Sequence, residues 1–173
     1  MARRALRYTA AVHSDAEHLR RVEAALTRPE LEVPPLPQRR ACFRLSRRPG
    51  RRSVWEAWVV MAPLLPGDGS HVLRETRVDR NALAQGSPDA LAVRDVEVTH
   101  EVVEGWMNAL RAIRIPVGGV EERMGLDGTS YTLSVEVGMA SASLRWWCDG
   151  PEAWSELTAW ARSTMTEFRV RAG

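Results

Sequence analysis

The stretch YTLSVEVGMASASLRWW, residues 131–147, decides how the chain is read. Tyr131, Leu133, Val135 and Val137 are apolar and alternate with Thr132, Ser134 and Glu136, which is the period of a strand with one covered face. Gly138-Met139 suits a two-residue type II′ loop, whose first position calls for glycine. Folding back about that loop pairs Val137 with Ala140, Val135 with Ala142, Leu133 with Leu144 and Tyr131 with Trp146. On the other side it pairs Glu136 with Ser141, Ser134 with Ser143 and Thr132 with Arg145. Each pair matches in polarity, and a slip of one residue would turn every apolar side chain to the wrong face. Leu133 and Leu144 are expected to lie buried under the last helix. Trp146 then points inward and Trp147 to the second face, which makes Trp147 the tryptophan that is a candidate for partner binding.

Working outward, Asp149 is expected to cap a final helix with Pro151 in its first turn. Trp154, Leu157, Ala161, Met165 and Phe168 recur at helical spacing as its buried stripe, widened by Trp160. Upstream, Val93 to Val98 reads as a strand. Thr99 can cap a helix from about Glu101 to Ile113, with Val102, Val103, Trp106, Leu110 and Ile113 inward, stopped by Pro116 and Gly118-Gly119. At the N-terminal end, Leu6, Tyr8, Ala10 and Val12 alternate as a strand. Ser14 and Glu17 read as a capping box for a helix to about Thr27. Pro29, Pro34, Pro35 and Pro37 make a stiff connector.

Ala41, Phe43 and Leu45 give the next strand, with a turn at Pro49-Gly50. Val54 to Ala62 is apolar on both faces, as a central strand covered on two sides must be. A turn at residues 66–69 leads to His71–Asp79, whose polar content predicts an edge strand or a protruding hairpin arm. Residues 80–92 read as loop with a short helical turn. The expectation is one α+β domain over residues 1–173, a largely antiparallel sheet with about three helices. Its predicted order is β-α-β-β, a hairpin arm, then β-α-β-β-α.

Leu126-Asp127-Gly128-Thr129, followed by Tyr131 and Leu133, then Trp146-Trp147, Pro151, Trp154 and Leu157, resembles a pattern in small uncharacterised bacterial proteins. The resemblance covers about residues 95–170. It implies a bacterial source and an α+β fold, and it brings no activity and no active site with it.

The chain has 173 residues, 45% of them hydrophobic and 27% charged, which is a globular composition long enough for one core. No run of about 18 apolar residues predicts a membrane helix, and no apolar h-region follows the basic start, so a cytoplasmic protein is expected. Cys42 and Cys148 are too few for a disulfide framework. His13, His18, His71 and His100 show no metal-ligand spacing, and no glycine-rich phosphate loop or nucleophile elbow is present. Neither a metal nor a cofactor is expected.

Every one of the 24 basic residues is arginine. Residues 1–52 carry 13 of them against five acids, a balance of +8, while residues 53–173 carry −6. That asymmetry predicts a basic and an acidic face. Its centre is Arg39, Arg40, Arg44, Arg47, Arg48, Arg51 and Arg52, a run with no acid among it, on the predicted hairpin about Pro49-Gly50. Solvent, salt and the protein's own acids can offset this charge. The alternative is an anionic partner, since guanidinium forks fit carboxylate and phosphate alike.

The leading expectation is a non-catalytic binding or adaptor protein, an accessory subunit of a larger bacterial system that engages an acidic protein partner through this hairpin. The alternative is nucleic-acid binding by the same arginines. A third reading is an enzyme acting through Glu56, the one carboxylate in an apolar strand face. Its pKa there is raised for acid–base work, or else it meets an arginine from a neighbouring strand, or this face is exposed near the strand's end.

Overall fold

The computed structural model describes residues 5–6, 15–28, 36, 38–50, 54–65, 70–116, 128–137 and 139–173. The described strands are β1 (Ala5–Leu6), β2 (Arg39–Pro49), β3 (Val54–Pro63), β4 (His71–Asp79), β5 (Leu91–Val98), β6 (Thr129–Val137) and β7 (Ala140–Trp147). The described helices are α1 (Asp15–Thr27), α2 (Arg80–Ala84), α3 (His100–Ala112) and α4 (Ser155–Ala172). Several expectations fall outside the described residues: strand character at Tyr8–Val12, the Ser14 cap, His13, the prolines at 29, 34, 35 and 37, the turns at 66–69, 118–119 and Gly138, and the Leu126-Asp127 turn.

The strands form one antiparallel sheet in the order β1-β5-β4-β3-β2-β6-β7, and the fold is α+β. β2 to β5 follow one another as a meander, and the β6–β7 hairpin joins it along β2. All seven pairs read from residues 131–147 are present, from Tyr131↔Trp146 to Val137↔Ala140. β3 is covered on both faces, as its two-sided apolar pattern requires. On one face Trp58 and Val60 join Phe43, Leu45, Leu73 and Leu133 under α3 and α4. On the other, Ala57 packs with Val22 and Leu26 of α1 and with Val78, while Val59 and Met61 pack with Ala41 and Val72.

Phe168 of α4 centres the larger core. It is fully buried, with its ring 4.8 Å from Trp106, 6.2 Å from Phe43 and 6.2 Å from Trp58. The Trp106 indole finds the partner its burial demands by donating to Glu167 at 2.8 Å. α3 starts as its sequence predicts, with the Thr99 hydroxyl accepting from the Val102 amide. A bulge between Ala41 and Phe43 leaves Cys42 without a partner on β3. Burial pushes the Cys42 thiol up, against the pull of Arg40 and a backbone hydrogen bond at Ala62.

Three expectations are corrected. β4 is an interior strand between β3 and β5, not an edge or a protruding arm. Its polar residues are matched across the sheet: Arg74, fully buried, donates two hydrogen bonds to Asp95 at 2.7 and 2.8 Å. Asp149 does not cap α4. Pro151 leads into a short 3-10 turn, Trp154 stands at the cap with no side-chain bond, and Asp149 pairs with Arg162 instead. Leu144 is only half-buried, because β7 is the sheet's edge, whereas Leu133 is 1% exposed.

The core ordering predicts mutational costs. Phe168→Ala is expected to lose about 3–5 kcal/mol in urea unfolding and Leu133→Ala about 2–5 kcal/mol. Leu144→Ala should cost less than Leu133→Ala. Equal losses at the two leucines would show that β7 is as deeply covered as β6.

Candidate functional site

A row of side chains crosses the helix-covered face of the sheet at one level. Arg77 of β4 stands in register with Glu56 of β3, Glu56 with Arg47 of β2, Arg47 with Tyr131 of β6, and Tyr131 with Trp146 of β7. α4 lies over this row. Arg162, Thr166 and Arg169 sit at i, i+4 and i+7, so they form one stripe along the helix. Between row and helix runs a cleft of about 780 Å³, lined by Arg47, Arg77, Arg162 and Arg169, by the single carboxylate Glu56, and by Val54, Tyr131, Met165 and Thr166.

Glu56 ties the walls together. It is 6% exposed and receives Arg169 at 2.8 and 3.2 Å and Arg47 at 3.2 Å. Burial pushes its carboxyl up, but the hydrogen bonds and charge of Arg169 and Arg47 outweigh burial and hold it below its ordinary value. Glu56 is therefore a fixed anion at neutral pH, which supports the reading in which a neighbouring arginine sets its state and not the one with a raised acid–base pKa. Arg169 also lies over the Trp58 ring at 5.3 Å.

Glu75 was not singled out by sequence. It faces the same side of the sheet from β4, is 6% exposed, and stands opposite Arg94 of β5. Burial pushes its carboxyl up, opposed by Arg77 and Arg94. Arg77 is exposed and makes no ion pair among the described residues. Arg162 pairs with Asp149, itself largely exposed.

The arginine run separates in three dimensions. Alternation sends Arg47 into the cleft and Arg44 and Arg48 to the opposite face. There Arg44 pairs with Glu136 at 2.6 Å, and Arg48 with Glu23 at 2.9 Å beneath α1, stacked over Trp55. Arg39 donates to the Ser70 carbonyl, and Arg40 is exposed beside the Cys42 thiol. Pro49 pairs with Thr129, and the Gly50 amide donates to Gly128 at 2.7 Å. The predicted hairpin is thus flanked on its β2 side by β6 and does not project as a ribbon. Arg51 and Arg52 lie outside the described residues. Trp147 is half-buried over Gly128, where a Cβ would come within 2.3 Å of its indole nitrogen.

Arg77, Arg162 and Arg169 each stand alone in sequence, and the helical spacing of the last two was the one available signal. Among the described residues no group of three or more His, Cys, Asp or Glu could hold a metal ion, and no helix is long and apolar enough to cross a membrane. No protein-family model matches the chain, and neither does any curated protein or solved structure.

The two carboxylates predict opposite pH behaviour. The stability due to Glu56 is present above the unfolded carboxyl's pKa and is lost as pH falls through its depressed folded value. Glu75, raised in the folded state, costs stability above its folded pKa, and the cost is relieved as pH falls. Glu56→Gln should lose about 2 kcal/mol at neutral pH, discounted for the part-exposed Arg169, and the deficit should shrink in acid. Glu75→Gln should melt higher than wild type at neutral pH and converge with it in acid. Thermal melts across the carboxylate range check both signs.

Proposed function

We propose that the protein is a non-catalytic binding module, an accessory or adaptor subunit that takes up an acidic protein partner at the arginine cleft. What carries the reading is the excess of guanidinium over carboxylate in a concave site. Four arginines from β2, β4 and α4 line it with one carboxylate, and Arg77 among them has no ion-pair partner among the described residues. Guanidiniums grouped along a concave wall recognise oxyanions through several planar donors each. The binding surface is then Arg47 with three arginines distant in sequence, while Arg48, Arg44 and Arg39 of the run are held by Glu23, Glu136 and the Ser70 carbonyl. The resemblance to bacterial proteins extends the proposal to a bacterial system.

The test compares the wild type with Arg77→Gln/Arg162→Gln as bait in extracts of the native source. The double variant is expected to melt like the wild type and to lose at least about tenfold in partner affinity, equivalent to about 1.4 kcal/mol. Arg48→Gln, on the opposite face, should keep the partner. Undiminished capture by the double variant would end this reading. Loss of co-purifying RNA or DNA, with proteins retained, would put nucleic acid in the partner's place.

A further inference from the structure

Two of the cleft's arginines, Arg47 and Arg169, converge on Glu56 and form a bridge across its middle. The other two stand at its ends. Arg77 rises from β4, and Arg162 hangs from α4 near β6, close to Tyr131 and to Asp149 just past β7. From β4 to β6 is three strand spacings, so the strands that underlie the two ends are about 14 Å apart. One phosphate or carboxylate cannot touch both. A nucleic-acid strand, with a charge at about every 3.4 Å of helix axis, would also bring charge over the middle, where Glu56 already serves the guanidiniums. The site offers no exposed aromatic platform for bases either: Tyr131 is buried and stacked on Trp146 at 5.5 Å. Between the ends, Val54 and Thr166 offer apolar and hydroxyl contacts to an uncharged linker.

Resting on the binding-module reading, we propose that the occupant is an extended segment of the partner carrying two carboxylates four residues apart. One engages Arg77, the other takes Arg162 from its exposed partner Asp149, and the segment crosses over the Arg47–Glu56–Arg169 bridge. In extended chain, residues i and i+4 face the same side and lie about 13 Å apart, which matches the span. Adjacent acids point to opposite sides, and in a helix the i,i+4 distance is only about 6 Å. Spacing, and not charge alone, is the recognised feature.

The experiment uses fluorescein-labelled, C-terminally amidated peptides with Ser and Val spacers. The first has Glu at i and i+4, the second two adjacent Glu, the third a single Glu and the fourth none, with a dT12 oligonucleotide as the nucleic-acid probe. Fluorescence anisotropy is expected to show the spaced peptide binding at least about tenfold tighter than its adjacent-Glu isomer. Arg77→Gln or Arg162→Gln should each reduce it to the single-Glu peptide's level, while Arg48→Gln leaves it unchanged. Equal affinity for the two isomers, or tighter binding of dT12 than of the spaced peptide, would overturn the proposal. If the native partner is lost from Arg77→Gln/Arg162→Gln while the isomers bind equally, the spacing fails and the binding module stands. If the isomers differ and the native partner is unaffected, the reverse holds.

Discussion

A strand buried on both faces leaves no solvent side for a charge, and β3 carries one. Glu56 sits 6% exposed in that strand, and the carboxylate is tolerated because two guanidiniums reach it, Arg47 from the adjacent strand and Arg169 from α4. Removing either partner of such a group leaves a desolvated charge, so the pairing constrains where α4 can lie. The helix must cross the sheet with Arg169 above Glu56. Its apolar stripe then sets Phe168 among Phe43, Trp58 and Trp106, and its far end brings Arg162 over Tyr131. Arg94 adds a second fastening by donating to the Ala172 carbonyl at the last turn. The cleft follows from this one placement, as the space between a row of long polar side chains and a helix whose facing stripe is itself arginine and threonine.

Much of the fold was legible because polarity alternation is enforced wherever a strand has one covered face. Residues 131–147 yielded their full register, and the two-sided apolar pattern of Val54–Ala62 correctly announced cover on both sides. β4 misled for a physical reason. Arg74, Glu75 and Arg77 look like an exposed edge when read alone, yet Arg74 is buried against Asp95, a partner in a strand that sequence alone does not pair with it. The arginine run is dispersed in a related way, because β2 is an interior strand whose arginines alternate between faces, and Arg48, Arg47 and Arg44 meet acids from α1, β3 and β6. Of the five described run members only Arg47 lines the cleft. Arg77, Arg162 and Arg169 have no neighbours in sequence to draw attention to them, and Arg162-Thr166-Arg169 becomes a stripe only once the helix is wound and laid on the sheet.

The absence of lysine gives the site a one-sided chemistry. Guanidinium stays charged at every pH at which the fold persists, so the positive half of each pair is constant and changes of charge fall on its acidic partner. The environments of Glu56 and Glu75 pull the two carboxyls apart, one held down by arginines, the other pushed up by burial. They act here as fixed anion and latent proton site within one charged layer, not as an acid–base pair about a substrate.

The junction of β2 with β6 bears on how the chain reaches this state. Arg44 and Glu136, which pair across it, are 92 positions apart, while the meander from β2 to β5 and the β6–β7 hairpin use short connections. Closing a loop of that length costs about 4 kcal/mol of chain entropy before any contact across the junction compensates. The local units can assemble cheaply, and the long-range seam makes the fold slow by topology. Arg47 and Tyr131 lie on opposite sides of that seam, and α4 follows β7 in the chain. A chain halted before the seam closes would hold most of its strands and only the β2–β4 wall of the cleft, so a complete cleft marks completed folding.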